Sequence, residues 1–242
     1  LLDLARSHAA PVCTVPGGQP PRSATGYLFI PLISFLQRSG LLRRDLSGDL
    51  ADAVNRLTDM SALLGPAVPT AQNPAKQMAM ALHGRLPVIY GSQGYRGAVA
   101  VRWKGQFNEN AKQPAFANVL PEQNHNEILA WNLAARFGAE WSVIFLRDPS
   151  ERSAGSRIAR RVEVTAEIVG GSAQVIEVWA EGDSMLERML GLFYSGDFIT
   201  VYLAYLNGVC PTDIGSIDRL KAELAANTTQ GAEQRHYPPT TP

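Results

Sequence analysis

The sequence predicts an α/β fold of three layers: a mainly parallel sheet with helices on both faces. Two observations lead there. Short runs rich in β-branched and aromatic residues recur at 11–15, 86–90, 115–119, 141–146 and 174–180. Between most of them stand longer segments with helical periodicity, and strands alternating with helices imply parallel pairing. Right-handed crossovers then put helices on both faces, and ligands belong at the carboxyl ends of the strands. No internal repeat is visible.

Taken in order, 11–15 (PVCTV) reads as a short strand ending in Pro16, Gly17 and Gly18, two glycines that let the backbone turn tightly or approach a ligand. A proline-stiffened loop presents Arg22, and a helix apolar enough to be buried starts near Thr25. Residues 45–64 form the clearest amphipathic helix, with Leu46, Leu50, Ala53, Val54, Leu57, Ser61 and Leu64 on its apolar face. Asn73 caps the next helix, with Pro74 at its first position and Met78, Ala79 and Leu82 facing inward.

The buried strand 86–90 (LPVIY) leads through Gly91, Ser92, Gln93 and Gly94 into a helix with Tyr95, Ala98, Val99, Trp103 and Phe107 on one face. Such a turn offers backbone N–H groups to an anion, but GSQG is a weak signal by itself and a tight turn without a ligand is the plainer meaning. After the strand 115–119, Pro121 opens a helix carrying His125, Glu127, Ile128 and Trp131. Then follow the strand 141–146, a helix at 153–168 with a basic face, and the strand 174–180. A long apolar helix at 183–207 has a break expected at Ser195 and Gly196, and the last helix, 213–226, bears Lys221.

Composition narrows the function. Apolar residues make up 45% and charged residues 18%, ordinary for a globular enzyme, and the net charge is zero. No global field would recruit nucleic acid or an anionic membrane. The longest apolar run, 27–36, is broken by Pro31 and too short to span a bilayer. Cys13 and Cys210 lack metal-ligand spacing and are expected as reduced thiols of a cytoplasmic protein.

The plausible chemistry concentrates at 102–131, RWKGQFNENAKQPAFANVLPEQNHNEILAW. Carboxyl, imidazole and amide groups are costly to bury without partners or a task. Glu109, His125 and the amides of Gln106 and Asn108 are therefore active-site candidates. Each has a plainer reading: Glu109 could cap the helix or pair with Lys104 or Lys112, and His125 could lie on a helix surface. Glu122, Glu127 and Arg22 could be solvated charges. Metal binding is disfavoured, because His125 with Glu122 and Glu127 matches no helical ligand pattern.

QFNENAK followed by LPEQNHNEI resembles the central motif of the bifunctional phosphoglucose/phosphomannose isomerases, which are built from two sugar isomerase (SIS) subdomains. VPGGQPPRSATGYLF resembles the loop between those subdomains. The resemblance runs from Leu1 to about Leu224 and implies a SIS-type, flavodoxin-like fold. It divides the chain into the end of a first SIS subdomain with a linking helix (1–40), a second SIS subdomain with its C-terminal helix (41–226) and a disordered tail (227–242). The chain is thus expected to begin mid-domain, downstream of the family's phosphate-holding loops.

The implied reaction interconverts glucose 6-phosphate, or mannose 6-phosphate, with fructose 6-phosphate through an enediolate, without cofactor or metal. Such a reaction needs a base to move a proton from C2 to C1, a group that opens the ring and a cation for the enediolate. The resemblance assigns Glu109 as base, His125 to ring opening and Arg22 as the cation. Lys221, in SIDRLK, shares in ring opening. Thr212, in CPTDIG, matches a family motif that leaves room for either C2 epimer, here with Cys210 in place of Asp. Gln106, Asn108, Gly17 and Gly18 are the remaining substrate-binding candidates. A homodimer sharing its active sites, with His125 acting in trans, completes the expectation. The competing reading is a non-catalytic phosphosugar-binding module or an inactive fragment.

Overall fold

A computed structural model describes residues 2–233. The sheet has four parallel strands: β1 (Leu86–Ser92), β2 (Phe116–Leu120), β3 (Trp141–Arg147) and β4 (Ala173–Trp179), in the order β2-β1-β3-β4. Residues paired across β1 and β3 include Val88 with Val143 and Tyr90 with Phe145. The direction of connection reverses between these two central strands, which makes their carboxyl ends the switch point of the sheet.

The helices are α1 (Leu2–Ser7), α2 (Thr25–Arg38), α3 (Ser47–Leu64), α4 (Pro74–Leu82), α5 (Tyr95–Glu109), α6 (Arg157–Val169), α7 (Met185–Leu206) and α8 (Gly215–Glu233). Alternation of side chains along the central strands builds two cores. Ile89, Ile144 and Leu146 face α3, α4, α5 and α7, joining Leu64, Leu82, Trp103, Phe107 and Leu203. Val88, Tyr90, Val143 and Phe145 face the other way, against Trp131, Ala134 and, on α6, Val162 and Val169. The expected three-layer α/β fold is therefore the one the chain adopts.

Several elements differ from expectation. Residues 11–15 are not a strand: they are exposed and have no sheet neighbour. α2 is not buried, since Ile33 alone is covered while Tyr27, Leu28, Leu32 and Phe35 stand open. On α3 the buried face includes Ala53 and Leu64 but not Val54 or Ser61, which point outward. The segment after β2 is a chain of 3-10 turns, Glu122–Asn124, Glu127–Asn132 and Ala134–Phe137, rather than a helix. Asparagine side chains compete with helical hydrogen bonds there: Asn126 Oδ1 accepts from the Glu127 N–H at 2.6 Å. Glu127, not solvated as its plainer reading had it, is tied to the sheet by Tyr90 Oη at 2.5 Å and Asn118 Nδ2 at 2.6 Å.

α7 is continuous through Ser195 and Gly196. Gly196 serves packing: a Cβ there would lie 2.5 Å from Trp103 Nε1, whose N–H reaches Leu192 O at 2.8 Å. Among the described residues α7 is the one helix long and apolar enough to cross a membrane by length and composition. Its Leu192, Ile199 and Leu203 pack into the core. α8 extends to Glu233, so 227–233 of the expected tail are helical, and the rest of that expectation, 234–242, lies outside the described residues.

Candidate active site

α5 runs back antiparallel to β1, so its last residue, Glu109, lies at the amino end of the sheet. Asn108 Nδ2 donates to Gln113 O at 2.9 Å, and Gln113 Nε2 donates to Arg85 O at 2.5 Å, just before β1 begins. The side chain of Glu109 is 44% exposed and meets Arg22, whose own side chain is 12% exposed. Arg22 Nη1 donates to Glu109 Oε2 at 3.1 Å, Nε to Asn110 Oδ1 at 2.8 Å and Nη2 to Pro211 O at 2.8 Å. The guanidinium is thus held by three groups from two distant segments, each matching one N–H direction of its rigid fork.

The structure decides between the plain readings of the sequence. Arg22 is not a solvated loop charge. Lys112 Nζ bonds the backbone oxygen of Glu109 at 2.6 Å, leaving the carboxylate to Arg22. Thr212 follows Pro211 and is exposed, its hydroxyl 3.2 Å from Cys210 Sγ. Hydrogen bonds from Thr212 hold the Cys210 thiol below its ordinary range. Cys13 and Cys210 are both exposed free thiols.

Two braces absent from the sequence reading support Arg22. Buried Asn110 donates through Nδ2 to Thr200 Oγ1 on α7 at 2.9 Å. Arg102 Nη2 donates to Arg22 O at 3.0 Å and to Asp197 Oδ1 at 3.3 Å. Burial pushes the Asp197 carboxyl up to about 6 against the pull of Arg102. Asn110 carried a signal, being the third residue of NENAK; Thr200, Asp197 and Pro211 carried none.

Gln106 lies one turn before Asn110 on α5, buried, with neither amide atom hydrogen-bonded. Gly17 and Gly18 lie in the exposed loop leading to Arg22, with Gly18 at a φ of 86°. Lys221 is exposed on α8. The turn at 91–94 is closed against its own helix: a Cβ on Gly91 would meet Arg96 O at 2.2 Å.

His125 stands apart. It is exposed after the carboxyl end of β2, while Glu109 precedes the amino end of that strand. β2 alone separates those ends by roughly 13 Å at the usual strand rise. The expectation that the candidates gather at the carboxyl ends is therefore corrected. His125 lies there, whereas Glu109, and Arg22 with it, lies at the other end. Among the described residues no group of three or more His, Cys, Asp or Glu side chains could hold a metal ion.

Comparison with known proteins agrees with the motif. The chain is 36% identical over 226 residues to the bifunctional phosphoglucose/phosphomannose isomerase of Caldicellulosiruptor bescii, covering 93% of this chain and 66% of that protein. It is 34% identical over 213 residues to the enzyme of the same name from Thermoplasma volcanium, covering 87% and 62%. The chain thus spans less than two thirds of either relative. A solved glucose-6-phosphate isomerase like protein from Thermus thermophilus superposes at a TM-score of 0.56 with 27% identity, over 69% of this chain and 55% of that one. A hypothetical protein from the same organism shares the fold at a TM-score of 0.69 and 13% identity, over 93% and 59%. The model of the bacterial phospho-glucose isomerase C-terminal SIS domain matches residues 71–224, well over half the chain, and the protein belongs to that family.

Proposed function

We propose that this chain carries the catalytic base and cation of an aldose–ketose isomerase acting on glucose 6-phosphate and mannose 6-phosphate to give fructose 6-phosphate. The observation that carries the reading is the Arg22–Glu109 pair: a half-exposed carboxylate 3.1 Å from a guanidinium fixed on its other sides. Glu109 takes the C2 proton of the open-chain aldose and returns it to C1. The electron pair moves onto the carbonyl oxygen, and Arg22 offsets the negative charge that forms there. His125 moves the hydroxyl proton that opens the ring, and Lys221 assists. Thr212 leaves space at C2, and the free amide of Gln106 suits a sugar hydroxyl. Asn108, Gly17 and Gly18 shape the loops around the sugar.

The separation of Glu109 from His125 favours a two-fold dimer in which His125 enters the neighbour's site. The open apolar face of α2 supports reading residues 1–40 as the end of a first SIS unit. The decisive experiment is a coupled assay for fructose 6-phosphate formation from each aldose, run on these 242 residues and on a version as long as the relatives. Turnover by the longer protein is expected. Phosphosugar binding without turnover at either length would leave the sensor reading in its place.

A further inference from the structure

We propose that Thr200 and Asn110 are positioning residues that set the direction of the Arg22 guanidinium. A threonine hydroxyl has one proton to give. Thr200 Oγ1 is 2.7 Å from Gly196 O, the carbonyl one turn earlier on α7, and donates there. Its oxygen must then accept from Asn110, which fixes the amide with Nδ2 toward Thr200 at 2.9 Å. The Asn110 oxygen is thereby turned to Arg22 Nε at 2.8 Å. With Nη2 held by Pro211 O, the remaining face of the fork is aimed at Glu109.

The polarity of this chain of bonds matters because an amide can turn over. If Thr200 did not accept, the Asn110 NH2 group could face Arg22, placing donor against donor. Thr200 is fully buried and Asn110 is 6% exposed, so water cannot readily substitute. α7 thus contributes a step to the site without touching it. A second, independent tie, from Asp197 through Arg102 to the Arg22 carbonyl, fixes the backbone but not the guanidinium.

The test is the exchange of the Arg22 Nε–H proton with water, followed by side-chain 15N NMR in the 242-residue chain. Thr200→Val keeps the shape and removes the hydroxyl. It should speed that exchange about tenfold, the effect of losing one charge-assisted hydrogen bond. Thr200→Ser should restore it. Asn110→Ala removes the acceptor itself and gives the same readout if Thr200→Val fails to fold. Unchanged exchange in a folded Thr200→Val or Asn110→Ala chain would overturn the proposal, as would Thr200→Ser behaving like Thr200→Val.

The turnover arm rests on the reading of Arg22 above. In the longer protein Thr200→Val should lower kcat about tenfold with little change in KM, because Arg22 acts on charge that develops during reaction. Faster exchange with unaltered kcat would support the positioning and remove Arg22 from the reaction.

Discussion

The two ends of the sheet treat charge in opposite ways. At the carboxyl ends of β1 and β3, where this topology usually places a ligand, the charged groups satisfy one another. Glu151, its side chain 2% exposed, accepts from Arg147 Nε at 2.6 Å and from Arg96, and the second face of Arg147 is taken by Glu177 at 2.5 Å, the one half-exposed member of this network. Asp148 is capped by Ser150 and Tyr95. At the amino end, Glu109 keeps one side toward solvent beside a fixed cation. Charges closed upon each other hold a fold together, and a carboxylate left open is available for chemistry. On the proposed reading of Glu109 and Arg22, the residues outrank the topology as a guide to the candidate site.

The largest effect expected from this contrast is on turnover. Glu109→Gln in the longer protein should reduce it by roughly 10²–10⁴-fold, the usual contribution of a general base. Stability should stay within about 0.5 kcal/mol, since the site is at the surface. Mixing inactive Glu109→Gln and His125→Ala chains should restore about a quarter of the sites if the two residues meet across a dimer. A verified heterodimer without activity would place both residues in one chain.

At the other end the expected effect is on stability. Glu151→Gln removes the charge that two guanidinium groups share, and breaking a buried pair costs about 3–5 kcal/mol. Urea unfolding measures it, and a loss under about 1 kcal/mol would mean that solvent reaches this network after all. A smaller effect concerns aldose choice. Thr212→Gln adds bulk beside Pro211, next to the Arg22 anchor, and should shift the ratio of mannose to glucose 6-phosphate turnover by about tenfold, the scale of one misfit group in a pocket. An unchanged ratio would remove Thr212 from the site.

Strands β1 and β3 were legible within two residues because their apolar runs are buried on both faces, and the edge strand β4 was legible to the same margin from its β-branched run although it is only half-buried. The helix expected after Pro121 was not, because Glu127 finds its partners on Tyr90 and Asn118, which no local pattern foretells. The break expected at Gly196 came from propensity alone, whereas Trp103 decides that position from another helix. In the candidate site, the motifs singled out Glu109 and Arg22, which the structure brings within 3.1 Å of each other. The braces were not: Thr200 lies 90 residues from Asn110, in a helix that reads as apolar filler.

The smallest effect separates the two ends by pH. At the amino end, burial raises the Asp197 carboxyl from 3.8 to about 6. Its ionised form is disfavoured in the folded state, so above about pH 6 the group costs stability. As pH falls from about 6 toward 3.8 the folded protein takes up the proton first, and this cost disappears. At the carboxyl end burial pushes Asp148 up, but hydrogen bonds from Ser150 and Tyr95, with the Arg188 cation, hold it below 3.8. Its contribution is present above 3.8 and is lost only as pH falls through the lower folded value. Asp197→Asn should therefore stabilise the protein most above about pH 6, the gain shrinking on acidification. The loss caused by Asp148→Asn should stay constant from pH 7 down to about pH 5, where both folded and unfolded carboxyls are ionised. Urea midpoints of both variants across that range decide it. A pH-independent difference for Asp197→Asn would show that Arg102 compensates its burial fully, and the two ends would then differ in exposure alone.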